Sequence, residues 1–99
     1  MQHHVYFWLN EENQNESDRA AFEQGLNDLV KISHIQSGSW GKPAATEERP
    51  VTDKSFHYGL YLSFENILAH NAYQVDPAHD HFVEGFKHLW KNVKVFDVE

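Results

Sequence analysis

Histidine titrates closest to neutrality of all side chains, and this 99-residue chain carries eight, as many as its lysines and arginines combined. Their spacing decides what they can do. His79 stands three, four, seven and eleven residues before Phe82, Val83, Phe86 and Trp90, so on a helix it joins their apolar stripe while His81 and His88 turn to solvent. Asp76-Pro77 just ahead supplies an N-cap followed by proline at the first helical position. A helix N-terminus favours the neutral imidazole, the form a general base needs. Tyr73 precedes that break and is placed to aim a phenol at the same space. A neutral imidazole with a phenol nearby can move a proton to and from a carbon acid or carbonyl substrate, which makes His79 and Tyr73 the candidate catalytic residues. On residue types alone, a packing histidine satisfied by one hydrogen bond and a helix-end tyrosine reaching water are the competing readings.

His4 alternates with Tyr6 and Trp8 and is expected to border the same helix-facing pocket. The pocket lining is expected from His4, Tyr6, Trp8, Phe22, Leu26, Tyr58, Leu60, Leu62 and Phe82. A concave site lined by rings with few polar groups suits a small apolar or aromatic ligand. His79-Asp80-His81 and His3-His4 offer metal ligands, but residues two apart on a helix face different ways, unlike the i, i+4 pair that converges on one ion. No metal and no cofactor are expected. No Gly-rich phosphate cradle, nucleophile elbow or Walker pattern occurs.

The elements that must position these residues follow from periodicity. His3 to Leu9 is β-branched and aromatic, a strand bounded by a polar run. Phe22, Leu26, Leu29 and Val30 form the stripe of a helix from about Glu16 to Ile32, capped at Asn13 or Ser17. Ile35 to Gly41 reads as a weak edge strand, and Gly41 to Ser55, with Pro43 and Pro50, as one long loop. Phe56, Tyr58, Leu60, Leu62 and Phe64 alternate with His57, Gly59, Tyr61 and Ser63, a strand with one wholly apolar face. A short helix over Asn66 to Gln74 precedes the His79 helix, whose stripe runs through Leu89 and Trp90, and Val93 to Val98 closes the chain as a strand. The order β-α-β-β-α-β is the α+β, ferredoxin-like arrangement with helices on one face of a four-stranded antiparallel sheet.

Helices on one face leave the other uncovered. Both alternating sets of the first strand, Val5/Phe7/Leu9 and His4/Tyr6/Trp8, are apolar or aromatic, so the open face is hydrophobic in either register and marks a partner surface. A homodimer stacked sheet to sheet is expected, with Phe7 and Phe96 as candidate interface residues. Ninety-nine residues allow one domain, spanning 1–99. A net charge of −7 opposes nucleic-acid and anionic-membrane binding. The absence of cysteine removes disulfides and thiolate chemistry. The longest apolar run, Val5 to Leu9, is too short to span a bilayer, which points to a cytoplasmic protein.

His4-Val5-Tyr6-Phe7, Phe64-Glu65-Asn66 running to Tyr73, Asp76-Pro77-Ala78-His79 with Phe82, and Trp90 with Val95-Phe96-Asp97 together resemble the stress-responsive A/B-barrel (Dabb) family. From Phe64 onward the chain is especially similar to the plant polyketide (olivetolic acid) cyclases of that family. The resemblance implies a dimeric α+β barrel. It also implies acid/base work at the positions of Tyr73 and His79, with a first-strand histidine, matched here to His4, bordering the pocket. Tyr58 stands where such cyclases carry a histidine, Leu26 where they carry a tyrosine, and Tyr6 and Trp8 replace smaller aliphatic residues. The function expected is thus a homodimer with an apolar ligand pocket and cyclase- or lyase-type chemistry. The alternative is a non-enzymatic stress-related or structural dimer whose pocket is filled by Tyr6, Trp8 and Tyr58.

Overall fold

Strict alternation sets the first strand, β1 (Gln2–Leu9): His3, Val5, Phe7 and Leu9 are buried, while Gln2, His4, Tyr6 and Trp8 lie on the other side. The computed structural model describes residues 1–99. After β1 come a 3-10 turn, α1 (Glu16–Leu29), β2 (Ser37–Gly41), β3 (Tyr58–Ser63), α2 (Ile67–Gln74), α3 (Pro77–Phe86), a second 3-10 turn and β4 (Trp90–Val98). The four strands form one sheet in the order β2-β3-β1-β4, antiparallel throughout. This is the expected ferredoxin-like arrangement. No helix is long and apolar enough to cross a membrane.

The register of β1 corrects part of the expected pocket. Val5 pairs with Leu60 and Phe7 with Tyr58, whereas His4 pairs with Tyr61 and Tyr6 with Gly59. Directly opposed residues share a face, so His4, Tyr6 and Trp8 belong to the open side and do not line the helix-facing pocket. Both sets in β1 are apolar or aromatic, so composition could not choose between them. A one-residue slip exchanges the faces completely. The same register removes Phe7 from the expected dimer face, since its ring is only 2% exposed in the core. Phe96, opposite His4 on the open side, keeps its place.

Local chemistry explains where the helices begin and end. Asn15, between the two expected caps, accepts the Asp18 backbone N–H at 2.8 Å and starts α1. Asp76 caps α3 by accepting the Ala78 N–H at 2.8 Å, with Pro77 as the first helical residue. That start matches the expectation. The end does not: α3 stops at Phe86, and Trp90 opens β4. Trp90 still reaches the core, its ring centroid 5.1 Å from Phe7 and 5.9 Å from Phe82. Gly25 lets α1 approach α3 closely, since a Cβ there would stand 2.3 Å from Phe86 Cε2. The core is built on Phe7, Phe22 and Phe82, with Phe7 and Phe22 edge to face at 5.1 Å, a geometry that adds to area burial.

Candidate functional site

Sheet and helices part at one end of this core. A cavity of about 130 Å³ remains there, walled by His3, Phe7 and Leu60 from the sheet and by Tyr73, His79 and Phe82 from the helices. Tyr73 comes from the last turn of α2 and is 1% exposed. His79 comes from the first turn of α3, fixed there by the Asp76 cap. Their ring centroids lie 4.8 Å apart with planes at 69°. His79 Nδ1 is buried without a hydrogen-bond partner.

Burial tunes both groups in useful directions. It pulls the His79 pKa below the ordinary histidine value, against a weaker opposing pull from the Asp80 and Asp76 carboxylates. The imidazole is therefore neutral at pH 7 and can accept a proton. Burial pushes the Tyr73 phenol above its ordinary range, so it stays protonated and can donate a hydrogen bond. Opposite moves in an acid and a base are the pattern by which one site runs proton transfer at neutral pH.

Of the residues expected at the pocket, Tyr73, His79, Leu60 and Phe82 line the cavity. Phe22, Leu26, Leu62 and Tyr58 are buried in the core but are not part of the cavity wall. The Tyr58 hydroxyl donates to Glu23 Oε2 at 2.6 Å. Burial, with help from Glu23, pushes the Tyr58 pKa up to about 12, so this phenol is held in place away from the cavity. His4, Tyr6 and Trp8 face the far side of the sheet. The first-strand histidine at the cavity is His3, whose ring lies 6.1 Å from Tyr73. Its Nδ1 stands 2.5 Å from Asp97 Oδ1, its cross-strand partner on β4. From the sequence alone, His4 takes the pocket position and His3 is weighed only as a metal ligand. The signal available was its phase with Val5, Phe7 and Leu9.

A second neutral histidine has a structural task with a measurable consequence. The Leu9 backbone N–H donates to His57 Nδ1 at 2.9 Å, and burial lowers the His57 pKa. The unfolded chain binds protons on His57 and His79 near about pH 6.5, whereas the folded chain does so only at lower pH. Stability therefore falls as the pH drops below about 6.5, where the unfolded state holds more protons. Thermal melts between pH 7.5 and 5.5 are expected to show a declining Tm, with a shallower decline in His57→Gln, whose amide oxygen can still accept the Leu9 N–H. A flat profile in the parent protein would contradict the buried neutral state.

Several solved structures share this architecture. An Arabidopsis thaliana protein superposes with a TM-score of 0.81 at 20% identity, covering 99% of this chain and 92% of that one. A dimeric ferredoxin-like protein of unknown function from Jannaschia sp. CCS1 gives 0.74 at 22% identity, covering 99% and 96%. The hydroxynitrile lyase of Passiflora edulis gives 0.77 at 14%, covering 96% and 87%. At these identities the likeness is one of fold. No curated protein matches the chain significantly. Residues 1–99 match the stress responsive A/B barrel domain, and the chain belongs to that family.

Proposed function

We propose that this protein binds a small apolar or aromatic ligand in the cavity between sheet and helices and transfers a proton to or from it, in cyclase- or lyase-type chemistry. The observation that carries this reading is the Tyr73–His79 ring pair, 4.8 Å apart, over a void that no side chain fills. Tyr6 and Trp8, which could have plugged that void, point to the opposite face of the sheet. His79 takes the proton of a hydroxyl or activated C–H group, and Tyr73 donates a hydrogen bond to the oxygen on which charge develops. His79 then returns the proton to the leaving group or product carbon. The hydroxynitrile lyase with this fold supports a lyase variant of that chemistry.

Size narrows the ligand. An apolar cavity of about 150 Å³ suffices for benzene in a well-studied engineered case, so about 130 Å³ suits one ring or a short ketone better than a long acyl chain. Net charge −7 also disfavours phosphorylated compounds. A thermal-shift panel is expected to show stabilisation by phenols and alkyl ketones and none by sugar phosphates or nucleotides. The reverse result would remove this pocket reading.

The uncovered sheet face supports a homodimer. Tyr6 packs on Phe56 at 5.0 Å and on Phe96 at 6.1 Å. This aromatic ridge separates two hollows of about 340 and 320 Å³, into which a second copy could fit. The dimeric state of the Jannaschia protein favours the same assembly here.

A further inference from the structure

Beside the cavity, one buried lone pair has no partner. His70 on α2 places Nδ1 3.1 Å from Asn71 Oδ1. An amide oxygen only accepts, so Nδ1 carries the proton and Nε2 keeps a lone pair. That Nε2 is buried and receives no hydrogen bond, an arrangement folded proteins seldom leave without a reason. The His3–Asp97 pair lies beside the His70 ring. The His3 and His70 rings lie 5.0 Å apart, and one nitrogen from each, with one Asp97 carboxylate oxygen, lie within 4.8 Å of one another.

We propose that His3, His70 and Asp97 form a binding site for one divalent transition-metal ion of the zinc class, with water at the remaining position. Two imidazoles and a carboxylate match the ligand preference of zinc and its neighbours, whereas magnesium and calcium select all-oxygen sets. Bonds of about 2.0–2.2 Å to zinc place ligands roughly 3–3.5 Å from one another. His3 and Asp97 stand closer than that, at 2.5 Å, as partners sharing a hydrogen-bond proton. Replacing that proton with the metal requires the pair to part slightly. The Asp97 side chain, 45% exposed on edge strand β4, is free to do so and leaves the ion a route in from solvent. The neutral His3 ring moves its proton from Nδ1 to Nε2 when Nδ1 takes the ion. The three ligands come from β1, α2 and β4, so the ion would tie α2 to the sheet. Neither Tyr73 nor His79 is a ligand, so this site does not depend on the proton-transfer reading. The earlier expectation of no metal considered only neighbours in sequence, and this trio is assembled by the fold.

Titration of the full chain, freed of metal with a chelator, tests the site. Zinc chloride followed by calorimetry is expected to show one saturable equivalent per chain, and cobalt chloride the visible d–d bands of a four- or five-coordinate ion. His70→Gln and Asp97→Asn, each checked by circular dichroism for an intact fold, are expected to weaken zinc binding by about 100-fold or more, since even outer partners of a metal site cost 10–100-fold. His81→Gln, altering an exposed histidine on α3, is expected to bind as the parent does. Undiminished zinc binding in folded His70→Gln, loss of binding in His81→Gln, or no saturable equivalent in the parent chain would each overturn the proposal.

Discussion

His79→Gln and Tyr73→Phe are each expected to lower turnover by about 10²–10⁴-fold, the usual effect of removing a positioned acid or base. The suitable substrates are relatives of the phenols or ketones that stabilise the protein. Glutamine preserves the bulk and hydrogen-bonding capacity of His79 but cannot take up a proton near neutrality. Phenylalanine removes one oxygen from Tyr73 and keeps the ring that packs on Phe64 at 5.2 Å and on His79 at 4.8 Å. Both folds should survive, as judged by circular dichroism. The kinetic signature is more specific than the loss itself. In the parent protein kcat/KM should rise through the His79 pKa, which burial sets below the ordinary histidine value, and that limb should vanish in His79→Gln. Unchanged turnover in both variants, with any loss confined to stability, would show that the two rings serve packing.

How much of this site the sequence disclosed depended on which residue's neighbours were unambiguous. His79 could be placed because the Asp76-Pro77 start fixed the helix phase and a single apolar stripe followed it. Phe82 and Leu60 could be placed because their elements have one apolar face. The strand-one histidine could not be chosen on the same grounds. In β1 both faces are apolar or aromatic, and only the Val5–Leu60 and Phe7–Tyr58 pairs decide that His3, not His4, reaches the cavity. The motif match had favoured His4 because it weighs residue order and not the face a residue turns to. Trp90 was assigned to the helix stripe because its spacing from Phe86 is helical, yet the chain turns at Lys87–Leu89 and delivers its ring to the same core from a strand. The His3, His70 and Asp97 cluster lay beyond any local reading, because three separate elements bring it together.

Phe96→Asp is expected to convert the protein from a dimer to a monomer with little change in the fold of the chain. Phe96, on edge strand β4, is 55% exposed and packs on Tyr6 of the inner strand β1 on the uncovered sheet face. The His4, Trp8 and Tyr61 rings extend that surface on β1 and β3. Burying such rings between two sheets supplies apolar area at about 25 cal/mol per Å². A carboxylate at position 96 would replace one ring with a charge, and an unpaired charge in a dry interface costs several kcal/mol, a large part of what a typical interface of about 1,600 Å² yields. Tyr6→Asp should act in the same way. Phe7→Asp should behave differently, because Phe7 is 2% exposed among Phe22, Phe82 and Trp90, and a core charge there should unfold the chain. Light scattering at micromolar concentration separates these outcomes: the parent should have twice the 11.6 kDa chain mass, and Phe96→Asp should have the mass of one folded chain. A parent protein that runs at 11.6 kDa would reject the sheet-to-sheet dimer, while a Phe96→Asp variant that stays dimeric would place the interface elsewhere.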